Sequence, residues 1–235
     1  MARANRQTHC GLSSEIALIL VQVVTDLSAW PWPNERSVIT IGAYDGVHLG
    51  HQAVIGQVRE RAARVGAKSV VVTFDRHPAS VVRPDAAPRL LTNTKQKLEL
   101  LAATGVDAVV VLSFTPEQSK EIPSDFVQRV IVDGLHASTV IVGSDFHFGH
   151  MRQGNVTLLR EMGERHDFTC EPVVLIERAD DIDEPVSSTA IRRALAGGEI
   201  ATAAKMLGHS YEVVGTVVTG DQRGRTIGFP TANVE

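Results

Sequence analysis

Residues 37–52 read SVITIGAYDGVHLGHQ, a β-branched run that breaks into glycines and then enters a helical pattern. Ser37 to Ile41 has the composition of a strand. Gly50 to Val65 continues as a helix, with Val54, Val58, Ala62 and Val65 three and four apart on one face. A strand that feeds a helix through a glycine turn is the first half of a βαβ unit, and the alternation continues outward. Strands are expected at Ser69 to Thr73, Ala108 to Leu112, Thr139 to Val142 and Thr169 to Ile176. Between them come a helix from Thr94 to Thr104, with Leu98, Leu101 and Ala102 inward and Gly105 as its stop, and a helix capped by Ser124 and ended by Gly134. A further helix is read from Asn155 to Gly163. The strands are short, continuous and rich in Val and Ile, the pattern of strands covered on both faces. Such strands alternating with helices imply an α/β fold with a doubly wound parallel sheet. Ligands in these sheets bind at the carboxyl ends of the strands, which is where the Gly42 turn falls.

The bulk properties bound the function without naming it. The chain has 235 residues, 43% of them apolar and 21% charged, with a formal net charge of −4. That is ordinary globular composition, and it lacks the basic excess of a nucleic-acid binder. Cys10 and Cys170 are far apart and in no metal-binding spacing, which favours a reduced, cytoplasmic protein. The apolar run Ile16 to Val24 is too short to span a bilayer, so no membrane association is expected. Residues 1–22 read as a disordered or additional leader. Two helices, Thr189 to Ala196 and Glu199 to Leu207, close the α/β part. The character turns β-rich at Tyr211, so a boundary is placed near His209, giving segments 23–208 and 209–235. The oligomeric state, a homo-oligomer included, stays open.

The turn itself has the makings of a phosphate site. Gly42, Gly46 and Gly50 let the backbone bend and approach a ligand closely. The turn ends at a helix N-terminus, where unpaired N–H groups and the helix dipole attract anions. His48 and His51 are three apart at that start and share a face, so both imidazoles can donate to phosphoryl oxygens and stabilise a departing pyrophosphate. The alternatives are a tight turn with two surface histidines, or a zinc site that lacks an obvious further ligand.

The stretch His48-Leu49-Gly50-His51 matches the HxGH motif of adenylyl- and cytidylyltransferases. The longer string resembles bacterial bifunctional riboflavin kinase/FMN adenylyltransferases (FAD synthetases), whose usual form is close to GNFDGVHLGHQ. Ala43 and Tyr44 depart from it, and no ligand role is carried to position 43. Three other segments extend the resemblance. GSDFHFGHMRQG (143–154) is similar to the family's second block, which helps form the nucleotide and flavin sites. Asp145, Phe146, Phe148 and Arg152 are its flavin-binding candidates. SSTAIR (187–192) resembles the block that closes the ATP phosphate site. TFDRHP (73–78) resembles a family segment written T-F-x-x-H-P, in which His77 either shapes the site or is a buried, hydrogen-bonded histidine, and PRLLTNT (88–94) resembles a family loop over the flavin site. The tail GTVVTGDQRGRTIGFPTANVE resembles the opening of a riboflavin kinase module, whose Thr and Asn, here Thr231 and Asn233, bind ATP and magnesium.

The resemblance implies a Rossmann-like HxGH nucleotidyltransferase fold followed by the first part of a β-barrel kinase module. It implies transfer of AMP from ATP to FMN, giving FAD and pyrophosphate, with magnesium held through the phosphates. His48, His51 and Asp45 would be catalytic, with Asp45 shaping the turn or acting through magnesium. Gly42, Tyr44, Gly46, Gly50, Ser188, Thr189 and Arg192 would contact ATP. A parent protein with a complete barrel would also phosphorylate riboflavin, and the 235 residues here are expected to lack a competent kinase. Two alternatives remain: an HxGH transferase for another acceptor, such as phosphopantetheine or nicotinamide mononucleotide, and a non-catalytic flavin- or nucleotide-binding module.

Overall fold

The Val- and Ile-rich runs assemble into one six-stranded, all-parallel sheet in the computed structural model, which describes residues 21–173, 184–221, 223–229 and 231–234. The strands are β1 (Gln22–Val24), β2 (Ser37–Ile41), β3 (Lys68–Phe74), β4 (Ala108–Leu112), β5 (Ala137–Gly143) and, after a small hairpin of β6 (His147–Phe148) and β7 (Gly154–Asn155), β8 (Thr169–Val173). Their spatial order is β1-β4-β3-β2-β5-β8. The chain winds outward from β2 to β4, then crosses back to β5 on the other side of β2. The order therefore reverses between β2 and β5, where open α/β sheets hold their ligands.

β2 and β4 are buried at all five positions, so both faces must be covered. Alternate residues along each strand face opposite layers. Ile39, Val70, Val72, Val110 and Val140 pack against Val127, Ile131 and Leu159 on one side. Val71, Val109 and Val111 pack against Ile55 and Leu101 on the other. The second layer is α1 (Leu49–Val65) and α3 (Thr94–Ala103), joined through a short α2 (Pro78–Val82). The first layer is α4 (Pro123–Phe126), its π-helical continuation over Val127–Gly134, and α5 (Val156–His166). Two helices, α6 (Ser188–Ala196) and α7 (Ile200–Leu207), pack on each other and on Leu91 beside the turn.

The expected α/β class and parallel sheet are what the structure shows, with local corrections. Val21 is buried and Gln22 pairs with Ala108, so the leader cannot run to residue 22. Val65 is 47% exposed, and the inner face of α1 carries Ile55 instead. Ser124 does not cap its helix. Pro123 opens it, because a proline needs no N–H partner in the first turn. Asn155 is a cap rather than a helical residue, its side chain accepting from the Leu158 N–H, and α5 runs past Gly163. The β-rich stretch from Tyr211 yields only β9 (Val217–Val218), paired antiparallel with β10 (Asn233–Val234), and Arg223–Thr226 forms one helical turn, α8. The expectations for Cys10, for residues 1–20, for the end of the strand drawn to Ile176 and for Pro230 fall outside the described residues.

Candidate functional site

Three residues of the turn after β2 have left-handed backbone: Tyr44 (φ 51°), Gly46 (φ 82°) and Val47 (φ 40°). Glycine adopts that region freely, whereas a β-branched valine does so only under constraint. Side chains from elsewhere impose the constraint. The Tyr44 ring folds into the core among Ile55, Val71 and Val109, and its hydroxyl lies 2.6 Å from Thr40 Oγ1. A Cβ on Gly42 would come within 3.0 Å of that ring. Tyr44, expected to contact ATP, is instead 3% exposed and serves as the floor of the turn. Gly46 meets Leu91 and Leu207, and its N–H donates to Thr92 Oγ1 at 3.2 Å.

On this floor the two histidines meet. His48 caps α1, its Nδ1 accepting from the His51 N–H at 3.4 Å. An accepting Nδ1 places the His48 proton on Nε2. The rings stack with centroids 3.6 Å apart and planes 18° apart, and Tyr44 packs 4.8 Å from His51. His51 Nδ1 is buried without a hydrogen-bond partner among the described residues. Burial lowers the His48 pKa to about 4; nearby Asp45 opposes this and Arg192 adds to it. Burial, then the neighbouring His48, hold His51 well below its usual value. Two stacked imidazolium ions would repel each other, so both rings are neutral at pH 7, each with one N–H to donate.

That depression has a measurable consequence. An unfolded histidine takes up its proton near pH 6.5, whereas folded His48 does so only near 4. Between these values the unfolded chain binds more protons, so stability falls as pH drops from about 6.5 towards 4. The loss from His48 is on the order of 3 kcal/mol. Thermal melts between pH 7 and 4.5 should show the decline, and His48→Gln should flatten it. A slope identical in the variant would show that His48 is not the group responsible.

Asp45 was expected to shape the turn or to act through magnesium, and its contacts are those of a residue that shapes the turn. The carboxylate is 4% exposed. It accepts from the Leu91 N–H (3.0 Å), from the Thr92 N–H and hydroxyl (3.1 and 3.2 Å), and from Arg192 Nη2. Arg192 in turn donates from Nε to the Arg89 carbonyl at 2.6 Å. The acid thus ties the turn to segment 89–92 and to α6. Ser187, not Ser188, caps α6, accepting from the Ala190 N–H. The Ser188 hydroxyl donates to the Asp45 carbonyl at 2.9 Å, and Thr189 lies exposed beside it. The first turn of α6 is therefore fixed against the start of α1, and the Val186 carbonyl is 3.6 Å from where a Cβ on Gly50 would be. Two helix N-termini border one turn, a strongly anion-attracting arrangement.

A small cavity opens beside Asp45, bounded by Ala43, Asp75, His77, Leu90 and Lys97. His77 caps α2, its Nδ1 accepting from the Ala79 N–H at 3.1 Å while the ring stays half-buried. Lys97 is the residue that sequence reading missed. It is 8% exposed, and its Nζ donates to the Phe74 carbonyl at 2.7 Å. Burial lowers its pKa, opposed by Asp45 and Asp75. The available signal was spacing: Lys97 lies one turn before Leu101, on the stripe assigned to the core.

Other expected residues lie apart from the turn. Asp145 and Arg152 are exposed on the β6–β7 hairpin at the carboxyl end of β5. Phe148 is not a free ring wall. It is 8% exposed, packs on Phe126 (5.6 Å) and Phe146 (5.5 Å), and seals Gly154, where a Cβ would meet its ring at 2.8 Å. Phe146 is the partly exposed member of the pair. Thr231 and Asn233 lie at the tail ribbon, outside the main sheet. Among the described residues, no group of three or more His, Cys, Asp or Glu side chains could hold a metal ion.

A Rossmann-like parallel sheet with an HxGH turn at its crossover point defines the nucleotidyltransferase class of fold. Within that class, a family profile described as FAD synthetase matches residues 31–190, and one described as riboflavin kinase matches residues 207–235. The chain belongs to the FAD synthetase family. Curated relatives include the bifunctional riboflavin kinase/FMN adenylyltransferase of Listeria monocytogenes, 40% identical over 205 residues, covering 86% of this chain and 63% of that protein. The Escherichia coli protein of the same description is 37% identical over 202 residues, covering 86% and 64%. The chain thus spans a little under two thirds of the length of these relatives. A crystal structure described as a macrolide-efflux protein from Streptococcus pneumoniae superposes with a TM-score of 0.75 at 26% identity, covering 92% of this chain and 69% of that one. No described helix is long and apolar enough to cross a membrane.

Proposed function

We propose that this chain transfers the adenylyl group of ATP to the phosphate of FMN. The observation that carries the reading is the turn, where two neutral, stacked imidazoles lie at the joined starts of α1 and α6. Support comes from the family and from relatives named for FMN adenylylation. An oxygen of the FMN phosphate attacks the α-phosphorus of ATP. The bond from that phosphorus to the bridging oxygen breaks, and pyrophosphate leaves with the electron pair. The attacking oxygen is already anionic, so no protein nucleophile is needed, and catalysis rests on alignment and on donors placed where charge builds.

In this reading His48 and His51 donate to the ATP phosphates, and the Gly50 region and Thr189 add backbone N–H groups from their helix starts. Asp45, Ser188 and Arg192 position them, with Arg192 turning its guanidinium edge to the leaving group. Magnesium does not fit the turn as a protein-held ion. The one acid there already accepts from two backbone N–H groups, a hydroxyl and a guanidinium, so no step is routed through the metal. The flavin falls beside the cavity of His77 and Lys97, with Phe146, Asp145 and Arg152 on the neighbouring hairpin. The transferase unit ends near residue 208, and the kinase-like segment with Thr231 and Asn233 follows. Its substrates are small molecules met in the cytoplasm, with neither nucleic acid nor membrane as partner.

The test is incubation with ATP, magnesium and FMN. FAD and pyrophosphate should appear in equal amounts, with no product from phosphopantetheine or nicotinamide mononucleotide. Turnover of either of those acceptors in place of FMN would move the chain to a different transferase. Binding of FMN and ATP without pyrophosphate release would make it a binding module. A parallel run with riboflavin reports separately on the kinase-like segment.

A further inference from the structure

The histidines occupy one side of the turn, and a second set of contacts holds the other. Gln52, the last residue of GAYDGVHLGHQ, bends its side chain back over the motif. Its Nε2 donates to the Val47 carbonyl at 2.8 Å and to the Leu207 carbonyl at 2.9 Å. His209 Nε2 lies 3.0 Å from the Gly46 carbonyl and donates to it in the tautomer that carries the proton there, the alternative tautomer donating from Nδ1 to the Ser210 carbonyl at 2.9 Å. The two turn carbonyls so engaged belong to the adjacent residues with φ of 82° and 40°. The left-handed backbone that aims His48 is therefore gripped at its most constrained point, by the last residue of the motif and by His209 far along the chain.

Packing makes the grip specific. Leu207 and Leu91 close on Gly46, leaving no room for a Cβ there. Gly208 ends α7 in left-handed backbone (φ 74°), and a Cβ on it would meet Leu49 at 2.5 Å. Only a glycine there lets the chain turn tightly enough to bring His209 onto the Gly46 carbonyl. The bracing stretch 207–209 is also where the riboflavin kinase match begins.

We propose that Gln52 and His209 are positioning residues for adenylyl transfer, and that stretch 207–209 is consequently a working part of the transferase site. This rests on the FMN adenylylation reading above. Neither side chain needs to touch substrate; each fixes the carbonyls that set the direction of the His48 and His51 rings.

The test uses the chain as it stands, with ATP, magnesium and FMN. His209 is only partly buried, so His209→Leu should fold and melt within a few degrees of wild type. It should lower kcat roughly three- to tenfold, the value of one net hydrogen bond, with KM for FMN unchanged. His209→Gln keeps an amide N–H at similar reach and should restore most of kcat, which a purely packing role would not require. Gln52→Met loses two bonds at nearly constant shape and should cost about tenfold or more. The double variant should lose less than the product of the single losses, since both act on one turn. An active wild type with an equally active His209→Leu, or a loss that His209→Gln does not reverse, overturns the positioning role alone. A wild type that makes no FAD overturns the adenylylation reading and this proposal with it.

Discussion

His51→Ala should lower the rate of FAD formation by about two to three orders of magnitude while leaving FMN affinity within about twofold. The expectation follows from the state of the ring. His51 stays neutral because it is buried against His48, so it acts through a directed N–H rather than through charge. Its Nδ1 is buried and unpaired among the described residues, a condition native proteins rarely tolerate without a functional reason. A donor whose ring is already fixed by stacking before substrate arrives needs little reorganisation as charge builds on the leaving phosphates. Truncation to alanine removes that donor and the ring on which His48 stacks. FMN affinity should be largely unaffected, because the surfaces proposed for the flavin lie towards the cavity and the hairpin. Steady-state rates and flavin fluorescence titration separate the two quantities. A variant with more than a third of wild-type turnover would remove His51 from the centre of the mechanism.

Asp45→Asn should be the most destabilising single change in the site. The carboxylate satisfies two backbone N–H groups, one hydroxyl and the Arg192 guanidinium while nearly fully buried. An amide presents an acceptor on one side only and leaves Arg192 without its counter-charge. Breaking a buried pair by removing one partner costs about 3–5 kcal/mol. Arg192 keeps a fifth of its side chain in solvent, so the lower end applies. For a domain of this size, about 3 kcal/mol lowers Tm by roughly 10 °C. Turnover should fall further than stability explains, because segment 89–92 and α6 both lose their anchor on the turn. Calorimetry together with initial rates below the transition checks both parts. A melting point within two degrees of wild type would mean that the carboxylate is not the tie the geometry indicates.

The fold was legible because burial on both faces leaves a periodic trace. The uninterrupted Val/Ile runs of β2, β3 and β4 and the stripe of α1 follow from covering both sides of a parallel sheet. The HxGH turn was legible because glycines and histidines are costly to place there without a use. What could not be read is where each side chain turns. Tyr44 and Phe148 looked like ligand contacts and are core, since an aromatic ring after a strand packs wherever a glycine leaves space, here Gly42 and Gly154. The turn-shaping role of Asp45 could be named but not its contacts, because its partners lie 46 and 147 residues away and share no local pattern with it. Lys97, Gln52 and His209 escaped for a similar reason: their meaning lies in which backbone carbonyl they reach.

The Asp45 tie also bears on the order in which the molecule is assembled. The strand–turn–helix of residues 37–65 can form from neighbouring parts of the chain. Its left-handed turn has only local contacts, such as Tyr44 on Thr40 and Gln52 on the Val47 carbonyl, until segment 89–92 and α6 have arrived from far along the sequence. Contacts across such separations are among the slower to form in a folding chain. A partly folded intermediate would carry the central strands while its histidine pair pointed nowhere in particular. During refolding, binding of nucleotide should therefore lag behind recovery of secondary structure.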